Sequence, residues 1–108
     1  VFAKLAPFRG CDLIFTGDLN ADFVRTRDRK LRLLERFAEI GLSLVSVNTG
    51  VSFRAGSGTR IDHVLVGGSL RGESAEYDWS AIDREHPGCL KCSHGVPDHA
   101  LLKAMINL

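Results

Sequence analysis

The sequence predicts an α/β fold, or an α+β one, built as one half of a sandwich: a strand, a helix and then several strands. Three observations carry that reading. CDLIFT, residues 11–16, has the length and apolar content of a buried strand. RDRKLRLLERFAEIGL repeats apolar residues at helical spacing. TRIDHVLVG, residues 59–67, alternates like a strand yet carries a carboxylate, Asp62, inside its apolar run. Elements in this order pack as layers about one core.

Composition bounds the rest. A chain of 108 residues suffices for one small domain and not for two. With 44% hydrophobic and 25% charged residues it is globular. A net charge of +1 and a pI near 7.9 give no strongly basic footprint, so a nucleic-acid partner is neither demanded nor excluded. No apolar run approaches the roughly 20 residues of a membrane span, and the first residues show no signal-peptide pattern. Three cysteines, Cys11, Cys89 and Cys92, form no disulfide framework and favour a reducing, intracellular compartment. The text opens at Val1 as if in mid-segment and reads as a piece of something longer.

Residues 1–10 read as a helix end or a loop, punctuated by Pro7 and Gly10. After the 11–16 strand and the loop GDLNAD comes one long helix over 28–40. Leu31, Leu34, Ala38 and Gly41 form its stripe with Phe37 beside them, Asp28 is its N-cap and Gly41 its stop. LSLVSVN (42–48) and SFRAG (52–56) read as short strands, ahead of the clearer one at 59–67. Residues 68–97 are the least regular, rich in Gly, Ser and charge, and hold Tyr77 and Trp79. DHALLKAMINL is a strand or a short helix with Asp98 and His99 at its start.

Three places offer chemistry. Asp18 and Asn20 stand two apart at the end of a strand, where period-2 alternation sends both to one side. The plainer account is a strand-to-loop turn, in which Gly, Asp and Asn are all common. Asp62 is costly to bury without a partner; an ion pair with Arg60 or an edge position would also explain it. Asp98 and His99 could simply begin a helix.

Taken in order, TGDLNAD, SGTRIDHVLVG and VPDHALL resemble the GD-x-N, S-R-I-D-Y and S-D-H patterns of the endonuclease/exonuclease/phosphatase superfamily, the DNase I-like proteins. The likeness runs from about Asp12 to Leu102. It implies the C-terminal half of a four-layer α/β sandwich, with mixed or antiparallel strands, and metal-assisted phosphoester hydrolysis with Mg²⁺ or Mn²⁺. By resemblance, Asp18 orients or deprotonates the attacking water, and Asn20 holds water or a phosphate oxygen. His99 contacts the scissile phosphate, Asp62 accepts a hydrogen bond from His99, and Asp98 lies at the metal or its water shell.

The superfamily's N-terminal half supplies an early Asn and a Glu that is the principal metal ligand. VFAKLAPFRG holds neither residue type, so the site is a half-site and the fragment alone is expected to be inactive, its partner being the missing half of the same domain. Leu19, His63 and Pro97 stand where the pattern usually has an aromatic, Tyr and Ser. Short motif spacing points within the superfamily to DNA endonucleases of non-LTR retrotransposons, which would add a nuclear location. Arg25, Arg27, Arg29, Lys30 and Arg32 could meet DNA phosphates, or could be a solvated helix start. A phosphomonoesterase, such as an inositol phosphatase, is the enzymatic alternative. From a different class comes a zinc-stabilised binding module using Cys89, Cys92 and His94 with His86 or Cys11, or a pseudoenzyme that only binds partners.

Overall fold

The computed structural model describes residues 2–23, 28–47, 50–54, 58–85 and 99–108. The chain opens with helix α1 (Phe2–Leu5) and a 3₁₀ turn, Ala6–Phe8, that accommodates Pro7 at its start. Strand β1 (Leu13–Asp18) follows, then helix α2 (Asp28–Glu39) and strand β2 (Leu42–Leu44). Strands β3 (Asp62–Gly67) and β4 (Arg71–Asp78), helix α3 (Ser80–Glu85) and strand β5 (Leu101–Asn107) complete the order.

β3 is the centre of a three-stranded sheet, antiparallel to β1 on one side and to β2 on the other. β1 and β2 therefore run parallel to each other with β3 between them, so β1, α2 and β2 form a split β-α-β unit. The central position explains why Val64, Leu65 and Val66 are all buried, on both faces of the sheet. β4 and β5 make a second, antiparallel sheet with a register shift between Gly72 and Ser74.

Two apolar clusters join these parts. On one face Phe37, Leu42 and Leu65 are packed by Phe2, Phe15, Leu33, Leu34 and Ile40, so the helices cover that face. On the other face Val45, Val64 and Val66 meet Leu70, Ala75, Leu102 and Ile106 of the second sheet. The result is a small α+β domain of antiparallel sheets and short helices. Half of a four-layer sandwich was expected; the described residues form a helical layer and two antiparallel sheets and show no four-layer sandwich.

Other expectations are corrected in detail. α2 lies where the helix was expected, but its 12 residues span only about 18 Å, a short helix and not a long one. Its inward stripe is Leu33, Leu34, Phe37 and Ile40; Leu31 and Ala38 are exposed, because they lie about 100° or more around the helix from Phe37. α2 is described from Asp28 onward, and the residues just before it lie outside the described residues. Gly41 does end the helix, at φ 85°. The strand expected at 42–48 stops at Leu44 among the described residues; Val45 N–H still donates to the Val64 carbonyl at 2.9 Å, and Val47 bridges to Ala75. Residues 52–54 make isolated bridges from Phe53 to Thr59 and to His99 in place of a strand. The segment called least regular contains β4, and the C-terminal segment is strand, not helix. No helix among the described residues is long and apolar enough to cross a membrane.

Candidate functional site

β1 and β3 end together, and their register sets Asp18 directly opposite Asp62. Asp18 lies two residues after Thr16 and Asp62 two residues before Val64, both of the cleft-facing side, so both carboxylates emerge at one corner of the sheet. His99 arrives from the start of β5, and its Nδ1 lies 2.8 Å from Asp62 Oδ2. A carboxylate only accepts, so Nδ1 carries the proton. One potential ligand atom from each of Asp18, Asp62 and His99 lies within 4.8 Å of the other two.

The structure thus brings together three residues that lie far apart in sequence. Asp62 is the most enclosed, its side chain 17% exposed against 36% for His99. Two like charges directly opposite in a ladder are unfavourable in themselves. The donor set, two hard oxygens with an imidazole beside them, fits a divalent cation of the Mg²⁺ or Mn²⁺ type better than the thiolate-rich sets of structural zinc.

Asn20 is placed differently from its expected role. Asp18 ends β1, and Asn20 turns into the left-handed region at φ 51°, so strand alternation does not extend to it. Its peptide N–H donates to Asp18 Oδ1 at 2.7 Å, the side-chain-to-backbone bond of a turn. The turn and the carboxylate corner are therefore the same piece of chain. Asp98 lies outside the described residues, as do Arg25, Arg27, His86, Cys89, Cys92, His94 and Pro97. Cys11 is an exposed free thiol.

His63, next in sequence to Asp62, points to the opposite face. It is buried, its Nε2 donates to the Ala21 carbonyl at 2.7 Å, and its ring lies against Phe23. Arg60 is anchored to the 47–50 segment, donating to the carbonyls of Gly50 at 2.6 Å and Val47 at 2.9 Å, while its peptide N–H binds Asp22 Oδ2.

Sequence reasoning missed the groups that hold this corner. Ser52 is fully buried, and its Oγ accepts from the N–H groups of Ile61 (2.8 Å) and Asp62 (3.1 Å). Tyr77 donates its hydroxyl to the Asp62 carbonyl at 2.8 Å, and burial pushes its phenol up. Phe53 stacks on the His99 ring with centroids 4.9 Å apart. The available signal was the polar Ser52 next to apolar Val51 and Phe53, ten residues before Asp62. Farther out, Arg54 lies over Trp79 and pairs with Asp83, which holds the guanidinium above its ordinary value.

An open cleft of about 330 Å³ runs from this corner between β1 and β5, lined by Ile14, Thr16, Val64, Leu102 and Ile106 along with Asp62. Comparison with family models, with curated proteins and with solved structures returned no match for this chain.

Proposed function

We propose that the chain carries part of the site of a divalent-metal-dependent phosphodiester hydrolase, with DNA as substrate. The observation that carries this reading is the meeting of Asp18, Asp62 and His99 at one sheet corner, with the imidazole Nδ1 bonded to Asp62. Mg²⁺ or Mn²⁺, held by the Asp18 and Asp62 carboxylates, would supply charge stabilisation for phosphoryl oxygens. Asp62 keeps the His99 ring in one tautomer and orientation, so the ring's chemistry toward a phosphate falls to Nε2. Asp18, beside the metal, would orient the attacking water, and Asn20 lies in the turn next to it.

The finer fold reading, half of a DNase I-like sandwich, belongs to the same proposal, and so do the retrotransposon-type endonuclease and its nuclear location. The likeness in the three ordered motifs supports it, and the helix/sheet/sheet layering is compatible with it. On this reading a further metal ligand, the Glu of the family pattern, would be needed for tight metal binding and turnover. A phosphomonoesterase would use the same corner and is separated by substrate alone.

The test is Mn²⁺ binding followed by water-proton relaxation, with plasmid nicking measured alongside. Binding in the wild type that is lost in Asp18→Ala and in Asp62→Ala supports the reading. Binding that survives both substitutions removes the site. Metal-dependent nicking by the 108-residue chain would overturn the claim that an essential ligand is missing.

A further inference from the structure

The Asp62–His99 pair has no sheet ladder to hold it. Asp62 lies on β3, which pairs with β1 and β2, whereas His99 precedes β5, which pairs with β4. The two residues are 37 apart in sequence, yet their side chains meet at 2.8 Å. Something else must set that distance.

From the geometry we infer that Ser52 is the positioning residue for the pair. Its hydroxyl accepts from the N–H groups of Ile61 and Asp62, reaches the Thr59 carbonyl at 3.3 Å, and also hydrogen-bonds the Tyr77 side chain. Its own carbonyl accepts from the Ala100 N–H at 2.8 Å. The next residue, Phe53, bridges to His99 and lays its ring on the imidazole. A single fully buried residue therefore ties the 61–62 peptide to the 99–100 peptide. Tyr77 holds the Asp62 carbonyl from the other side. With that tether kept, removing the Ser52 hydroxyl releases the N–H side of Asp62 and turns its carboxylate relative to the ring.

The inference rests on the proposed reading only where metal is concerned; the imidazole–carboxylate pair is independent of it. The experiment is long-range ¹H–¹⁵N NMR of the His99 ring, together with Mn²⁺ affinity. The variants are Ser52→Ala, Ser52→Thr and, as control, Ser43→Ala on β2, where the Ser43 hydroxyl bonds the Val66 carbonyl of β3. The wild type is expected to show the Nδ1-protonated tautomer. Ser52→Ala should show a tautomer mixture and about tenfold weaker Mn²⁺ binding. Ser52→Thr, which keeps the hydroxyl, should return toward the wild type, and Ser43→Ala should not differ from it. If Ser52→Ala does not fold, Ser52→Cys takes the same measurement with a weaker acceptor of similar size. A folded Ser52→Ala or Ser52→Cys with the wild-type tautomer overturns the inference. If Ser52→Ala shifts the tautomer while Asp62→Asn and His99→Ala leave Mn²⁺ binding intact, the positioning role stands and the hydrolase reading falls.

Discussion

Replacing Asp18 by Asn should stabilise the metal-free protein and abolish its stabilisation by metal. The carboxylates of Asp18 and Asp62 face each other across the ladder, with ligand atoms within 4.8 Å. At that separation two unit charges repel by about 0.9 kcal/mol in water and by about 3.5 kcal/mol at an effective dielectric of 20. Asp18 is exposed, so the lower figure applies. Asn keeps an oxygen at the position that accepts the Asn20 N–H, so the turn survives the change. The expected gain is about 1 kcal/mol, or about 4 °C in Tm for a domain near this size. Metal reverses the order. A dication at 100 times its Kd adds about 2.7 kcal/mol to a protein that binds it and nothing to one that does not. The assay is thermal unfolding in EDTA and in Mn²⁺, at a pH well above the histidine range. Concentrated salt should shrink the gain in EDTA, because the screening length falls to about 3 Å at 1 M. An Asp18→Asn protein less stable than wild type in EDTA would refute the repulsion argument. Equal stabilisation of both proteins by Mn²⁺ would refute the role of Asp18 at the metal.

Two further outcomes test the fold. Leu65 is fully buried in the central strand against Phe37 and Leu42, so Leu65→Ala should cost about 2–5 kcal/mol in urea unfolding; a loss below about 1 kcal/mol would show that the core is not closed there. Acid should weaken the protein through three carboxylates held below their ordinary value of 3.8: Asp78 by Lys103 and Ser80, Asp83 by Arg54, and Asp12 by Ser69. Because folding depresses these values, their contribution is complete above 3.8 and is lost as pH falls through the lower folded values. Asp78→Asn should flatten that acid limb, and an unchanged limb would mean the Lys103 contact does not persist in solution.

The elements that could be read from sequence are those whose local pattern agrees with their final environment. β3 is an apolar run because it is central, and Gly41 stops α2 because only glycine adopts its backbone angle cheaply. β4 could not be read that way. RGESAEYD has little apolar content, and Ala75 and Tyr77 alone turn inward, so its strand character comes from pairing with β5 and not from its own residues. β5 is rich in helix formers, Leu, Ala, Lys and Met, and is held extended by the packing of Leu102 and Ile106 on Val64 and Val66. In α2 the periodicity was visible but its phase was not: Leu31 and Phe37 lie about 120° apart around the helix, and the core takes the side of Phe37, with Leu33, Leu34 and Ile40.

The site divides along the same line. Alternation suggested that Asp18 and Asn20 act side by side, and the left-handed turn at Asn20 ends that argument at Asp18. Asp62 with His99 could be named only from motif likeness, since no local pattern connects residues 37 apart. Ser52 gave only the faint signal of a polar residue between Val51 and Phe53, and Tyr77 gave none, because both act on the backbone of Asp62 and not on its side chain. What remains informative is the conflict that the fold tolerates. Asn at position 18 would serve the turn as well as Asp does, without a negative charge opposite Asp62. A chain that keeps both carboxylates in register, fastens the backbone of one of them with the hydroxyls of Ser52 and Tyr77 and brings an imidazole against it has given up local stability at one corner. Such local conflicts concentrate where a ligand relieves them. A divalent cation between Asp18 and Asp62 would relieve this one, and the order of Asp18→Asn and wild type in EDTA and in Mn²⁺ reads that relief directly.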